Sequence, residues 1–213
     1  MPKHIYLVRH GETADNRRWI HQSIDVSLNE RGREEAEAAA RALSAFPIDM
    51  LIASDAERTK ETAAPISAAT HITPQLEPLL RELHRGILVE GEHHLSWRSI
   101  KGVLGMHLHA GDRSWHFGNG ENLLEFRERI QKILDLLAQT PGEHIVVVTH
   151  RGVINAIRFA VTKGLAGSPR RLILAAGVEI LANGSITELT YDPSRSAPWH
   201  LERADDTRHL RGV

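Results

Sequence analysis

Arg9-His10-Gly11-Glu12 sets a permanently charged guanidinium beside an imidazole, directly after the short apolar run 5–8. An apolar run closed by a Gly-containing turn reads as a buried strand, and in an open α/β sheet chemistry collects at the carboxyl ends of strands. Two more strand ends carry polar groups. Ser54 follows the apolar run 50–53, with Arg58 one helical turn on, and Thr149-His150 follows the β-branched run 145–148. Glu82 lies on the segment after the third apolar stretch. If these strands are parallel neighbours, the groups converge on one edge of the sheet. Two Arg, two His and one carboxylate form a phosphate-handling set. Arginine grips phosphate oxygens with bidentate, charged hydrogen bonds. A neutral imidazole nitrogen can attack phosphorus while the other is held by a hydrogen bond. A carboxylic acid can protonate the departing alcohol oxygen. The rival assignments are Glu77 in place of Glu82, and Arg58 as a surface residue paired with Asp55, three positions earlier.

The elements that must position these groups alternate between strand and helix. After strand 5–8, residues 13–28 are irregular and polar, with Trp19 and Ile20 as anchors. Residues 30–46 have helical periodicity, with Ala36, Ala39, Leu43 and Phe46 on one face; Asn29 suits the N-cap and Pro47 the end. Strand 50–53 leads to a helix capped by Ser54 or Asp55 and running towards residue 69, interrupted by Pro65. Residues 84–119, rich in His, Gly and Trp, lack sustained periodicity and read as a lid or helical insertion. An amphipathic helix at 121–138 presents Leu123, Phe126, Ile130, Ile133, Leu134 and Leu137 as one stripe. The run 145–148 is a central parallel strand, followed by a helix at 152–162. Asn183-Gly184, between 178–182 and 185–191, is a type I′ hairpin signal. The pattern predicts an α/β fold: a single-domain three-layer sandwich over residues 1–213, with a mainly parallel central sheet, an antiparallel edge and helices on both faces.

With 213 residues, 41% of them hydrophobic, the chain is long enough for one substantial core. A formal net charge of −1 and the lack of a strongly basic stretch argue against nucleic acid as the main partner. The chain contains no cysteine, which excludes disulfides, thiolate metal sites and a catalytic thiol. No signal peptide or long apolar span is visible, so the expectation is a cytoplasmic protein with no membrane partner. The sequence carries no reading of oligomeric state. Fourteen histidines make its charge sensitive to pH near 6.5.

Beyond these patterns, the chain resembles the histidine phosphatase superfamily, also called phosphoglycerate mutase-like, in its short phosphatase branch. The resemblance rests on Leu7-Val8-Arg9-His10-Gly11-Glu12-Thr13 with Asn16, on Gln22, Asp25 and Leu28-Asn29-Glu30-Arg31-Gly32, and on Ser54-Asp55-Ala56-Glu57-Arg58-Thr59 with Thr62-Ala63. It continues through Leu80-Arg81-Glu82-Leu83, Gly120-Glu121-Asn122, Thr149-His150-Arg151-Gly152-Val153-Ile154 and the tail from Trp199 to Leu210. Only about 86–118 falls outside it. The resemblance implies that His10 becomes phosphohistidine and that Glu82 serves as proton donor and then acceptor. Arg9, Arg58, His150 and Asn16 would bind the phosphoryl oxygens, with Gln22 and Ser23 as further substrate contacts. It implies a small phosphorylated substrate, no cofactor and no metal, since the protein supplies the cations.

The chain departs from the family pattern at Arg151, where a small residue is common, at Asn155, often Arg, and at Ser23, usually Gly. After Glu82 it also reads Arg85-Gly86-Ile87-Leu88 in place of an aromatic-acidic-Gly continuation. A phosphoglycerate mutase is the alternative enzyme. Such mutases carry a Glu-Arg-x-Tyr-Gly segment at the acid and a basic substrate-clamping insertion, and this chain has neither. A non-catalytic phospho-ligand-binding protein is the alternative outside enzymes. His84, His93, His94, His107, His109 and His116 lack a metal-binding spacing, and His107 and His109 are candidates for a lid over the substrate. Trp97 and Trp115 are expected to anchor the insertion by packing.

Overall fold

The computed structural model describes residues 2–165, 169–178 and 180–213. Its six strands are β1 (Lys3–Arg9), β2 (Met50–Ala53), β3 (Gln75–Leu76), β4 (His144–Thr149), β5 (Ile186–Tyr191) and β6 (Trp199–Asp206). They form one sheet in the order β3-β2-β4-β1-β5-β6. The first four are parallel, β5 runs antiparallel to β1, and β6 runs antiparallel to β5. The helices are α1 (Ala14–Arg17), α2 (Glu30–Leu43), α3 (Glu57–Thr70), α4 (Trp97–Leu108), α5 (Leu123–Gln139), α6 (Arg151–Lys163) and α7 (Pro169–Val178).

Alternation along the strands sends side chains to two cores. Tyr6, Val8, Leu51, Ala53, Val146 and Val148 pack with Ala39, Ala40 and Leu43 of α2 and Ala63 and Ile66 of α3. Ile5, Leu7, Ile52, Ile145 and Val147 face the other way, onto the α5 stripe and Val153, Ile154 and Ile157 of α6. The three-layer sandwich predicted from the strand–helix alternation is therefore present. Among the described residues no helix is long and apolar enough to cross a membrane.

The structure corrects several local expectations. Helix α3 starts after Ala56, which makes no side-chain cap bond, so neither Ser54 nor Asp55 is the N-cap. Ser54 instead serves the site described below. Pro65 lies inside α3 without ending it. A 3-10 turn at Pro78–Leu80 follows the short β3. The hairpin across Asn183-Gly184 does not form. Its first arm contains the end of α7 and irregular backbone at 180–182, with Glu179 outside the described residues. Strand β5 pairs with β1 and β6 instead. Phe46 lies beyond the end of α2 and is 43% exposed. Trp19 and Trp97 do not anchor their segments by burial, being 56% and 76% exposed. Trp115 does pack: its ring seats against Gly105 of α4, where even a Cβ would meet it. Helix α4 also turns Ile100, Leu104 and Leu108 outward.

Candidate active site

In the order β2-β4-β1, Val148 pairs with Ala53 on one side and Val8 on the other. Ser54, His150 and His10 follow these rungs within two residues, so three distant segments end together. The turn after β1 is fastened from both neighbouring helices. Gly11 N donates to Thr62 Oγ1 (3.1 Å), Glu12 N to Glu35 Oε2 (2.7 Å) and Asn29 Nδ2 to Glu12 Oε1 (2.8 Å). Gly11 is required because a Cβ there would lie 2.2 Å from Gly32 O, so the turn and the start of α2 touch backbone to backbone.

His10 is buried, and its Nδ1 lies 2.8 Å from Gly11 O. A carbonyl can only accept, so Nδ1 carries the proton and Nε2 keeps its lone pair. Burial, then the fields of Arg58 and Arg9, hold this imidazole well below its usual pKa, so the ring is neutral. His150 is fully buried, with its ring 5.2 Å from that of His10, edge on. Arg58 Nη2 donates to its Nδ1 (3.2 Å), so Nε2 carries the proton and donates to Ser54 Oγ (3.1 Å). Burial, then Arg58, also depresses the pKa of His150. Arg58 Nη1 donates to Ser23 O (2.8 Å), and Arg9 Nη1 donates to Leu181 O. Both arginines keep a buried Nε–H without a partner among the described residues. Burial draws each down to about 10, which leaves both charged at neutral pH.

Glu82 is held by backbone. Its Oε1 accepts from Leu83 N (2.9 Å) and its Oε2 from Gly152 N (3.1 Å), at the start of α6. A Cβ at Gly152 would fall 2.4 Å from Oε1, so this seat requires glycine. The strand-end network also fixes the segment leading to Glu82. Thr149 Oγ1 donates to Leu80 O (2.7 Å), and Arg129 Nη1 donates to Leu79 O and Arg81 O (both 2.7 Å). Glu121 in turn grips Arg129 through two bonds of 2.7 Å. Asp55 pairs with Arg81, not with Arg58. Glu77 caps the 3-10 turn by accepting from Leu79 N (2.9 Å), which removes it as a rival to Glu82.

A cavity of about 1200 Å³ opens over this edge, and His10, Arg9, Arg58, His150, Glu82, Asn16, Gln22 and Ser23 all line it. Asn16 spends its oxygen on Thr13 N (3.3 Å) and Asn183 Nδ2 (3.1 Å), and its amide nitrogen has no partner among the described residues. Gln22 donates to Thr13 Oγ1 (2.8 Å), which ties it to the loop. Ser23 meets Arg58 through its carbonyl. Of the two lid candidates, His107 lines the cavity, whereas His109 stacks on Trp115 at 5.0 Å.

Sequence reasoning missed three contributors. Asn183, read only as a turn residue, donates to His10 O (3.0 Å) as well as to Asn16. Arg129, on α5, carried no signal in the sequence. Arg85 lines the cavity and was visible only as a departure from the family pattern. Among the described residues no group of three His, Asp or Glu is placed to hold a metal.

The family model for the histidine phosphatase superfamily (branch 1) matches residues 5–207. "Probable phosphoglycerate mutase GpmB" of Erwinia tasmaniensis is 30% identical over 216 residues, covering 97% of this chain and 94% of that protein. The protein of the same name from Enterobacter sp. is 32% identical over 210 residues, with coverage of 97% and 94%. Among solved structures, a mycobacterial glucosyl-3-phosphoglycerate phosphatase with bound VO3 aligns with a TM-score of 0.74 at 25% identity, over 95% of this chain and 98% of that one. Bacillus stearothermophilus YhfR shares the fold, with a TM-score of 0.78 at 24% identity over 98% and 99%.

Proposed function

Since the chain belongs to the histidine phosphatase superfamily, we propose that it is a metal-independent phosphomonoester hydrolase acting on a small phosphorylated metabolite through a phosphohistidine. The observation that carries this reading is the neutral His10, with Nδ1 pinned to Gly11 O and its ring in the fields of the buried Arg58 and Arg9.

In the first step the Nε2 lone pair attacks phosphorus and the bond to the ester oxygen breaks. Glu82 gives its proton to the departing alkoxide. In the second step water attacks the phosphohistidine, Glu82 takes a proton from that water, and the N–P bond breaks to release phosphate. Arg9, Arg58, Asn16 and His150 hold the phosphoryl oxygens as charge redistributes, so the catalysis is mainly positioning and electrostatics. Arg9 and Arg58 supply the cations such a step needs. Neutral His150 has no spare N–H, because Arg58 and Ser54 occupy both nitrogens. A bound dianion favours protonation of Nδ1, which releases Arg58 Nη2 and adds one donor for phosphate.

The relatives' name favours a second reading, a phosphoglycerate mutase, in which the phosphoryl group returns to an acid-alcohol instead of passing to water. The test is phosphate release from p-nitrophenyl phosphate and a panel of small esters with chelator present, comparing the chain with His10→Ala. Release that survives chelator and disappears in the variant supports the hydrolase. Interconversion of 2- and 3-phosphoglycerate without net phosphate release supports the mutase. Neither activity, with no phosphate trapped on His10, leaves the non-catalytic binder.

A further inference from the structure

Phosphoryl transfer at His10 leaves Arg17, Arg81, Arg85 and Arg151 of the cavity wall unused; Arg17 is exposed and Arg81 pairs with Asp55, which leaves the other two. Arg151 follows His150 directly, and Arg85 stands three residues after Glu82. Both line the cavity. Arg85 is half-buried, and neither guanidinium has a hydrogen bond or ion pair among the described residues. The carboxylate whose field favours Arg85 is that of Glu82, and both its oxygens already accept from backbone.

The two arginines line one cavity, and the field of Arg151 disfavours the charge on Arg85. Arg151 acts on Arg9 and His10 at the phosphoryl end. Together with Arg85 it also acts on His21 and His94, whose rings touch with centroids 3.9 Å apart. Arg85 is not among the leading influences on His10 or His150. Arg151, next to His150, and Arg85 line the same cavity as His21 and His94.

The wall at His21 and His94 is built rather than incidental. His21 N donates to Glu92 O (2.9 Å), Gly91 N to His21 O (2.8 Å) and His94 N to Trp19 O (2.8 Å), so two loops are stitched together behind the arginines. His21 Nε2 is buried without a partner. Burial pushes His21 down to about 3 and His94 to about 4, so these rings add hydrogen-bonding capacity without adding positive charge. Uncompensated like charges held together in a half-buried wall are unfavourable without an anion between them.

We infer that Arg85 and Arg151, backed by His21 and His94, form a second anion subsite, so that the substrate is a phosphomonoester whose alcohol portion carries a second negatively charged group. The inference rests on reading the cavity as a phosphomonoester site. A cavity of about 1200 Å³ has room for both anions and the carbon skeleton between them.

The test compares kcat/KM for 3-phosphoglycerate and glycerol 3-phosphate, which differ in a carboxylate against a hydroxymethyl group. The unaltered chain should prefer 3-phosphoglycerate by about 30-fold or more, and Arg85→Gln or Arg151→Gln should each cut that ratio about tenfold, chiefly through KM. Fructose 1,6-bisphosphate against fructose 6-phosphate reads a second phosphate instead. Preference in either pair supports the subsite and says which group it takes. A ratio near one in both pairs for the unaltered chain overturns the inference without any variant, as does a preference that survives both substitutions. If no ester is hydrolysed, the hydrolase reading fails separately. Calorimetric binding of the same pairs then decides the subsite, with equal affinities within each pair rejecting it.

Discussion

His10 and Trp97 belong to two differently built regions. Around His10, strands that are neighbours in the sheet but distant in sequence end together, and short bonds from Thr62, Glu35 and Asn29 fix the turn. Around Trp97, helix α4 leaves Trp97, Ile100, Leu104 and Leu108 open to solvent, while Met106 and Ala110 hold the segment to the core. The first region must hold atoms to within fractions of an ångström for a reaction common to many phosphate esters. On the proposed reading the second chooses among esters; it contributes the cavity residues Arg85, His94 and His107. On that reading the contrast teaches that one chain keeps its chemistry on a hydrogen-bonded sheet edge and its selectivity on a cover with an open apolar face.

The strongest attempt to break this comparison is His10→Ala. It should lower turnover of every ester by about 10⁴-fold or more, because removing a nucleophile ends its covalent route. Phosphate release together with trapping of labelled phosphate on the protein checks this. Next comes Gly152→Ala. The added Cβ must displace Glu82, so kcat should fall about 100-fold while the melting temperature moves by only a few degrees. Equal activity in that variant would remove Glu82 from the chemistry. Asn183→Ala deletes the bonds to His10 O and Asn16, and kcat/KM should drop about tenfold on charged and uncharged esters alike. Leu104→Ser, on the open face of α4, should change kcat less than twofold and stability by about 0.5 kcal/mol at most, read by urea unfolding. A large loss there would show that the cover also carries the chemistry.

pH sharpens the same contrast. Native His10 and His150 stay neutral well below 6.5, whereas the unfolded chain binds protons there. The unfolded state therefore holds more protons as pH falls below about 6.5. Stability should decline by about 3 kcal/mol per pH unit from these two residues until their native pKa values are reached. Denaturant titrations at pH 7, 6 and 5 measure it. Activity should show no acid limb at 6.5 from His10, since its neutral form persists.

The sheet edge was legible because each of its strands is a short apolar or β-branched run ending in a polar group, a pattern that burial on both faces imposes. Asn29 was legible as a cap because its side chain must meet the orphan N–H of Gly32, as it does at 2.8 Å. Asn183-Gly184 misled because a local turn signal does not say which strand the chain joins; its amide serves β1 instead. Arg129 was illegible because its partners, Glu121 and the carbonyls of 79 and 81, meet it only in three dimensions. Helix α4 hid because its outward apolar residues do not mark a core face. Strand β6 hid because it is an edge with several exposed residues and an irregular register.

The order β2-β4-β1 also governs when the molecule can first work. Within the sheet, strands β1 and β2, which lead to Arg9 and Arg58, share no hydrogen bonds and are joined through β4, far later in the chain. Until His144–Thr149 slots between them, the sheet that sets the two guanidiniums in register is incomplete, and His150 is not yet in place. A chain emerging from the ribosome therefore stays inert until well past its midpoint. Such non-local pairing is intrinsically slow to form. Recovery of hydrolysis after dilution from denaturant should lag the return of helix and appear only as the central strand locks in.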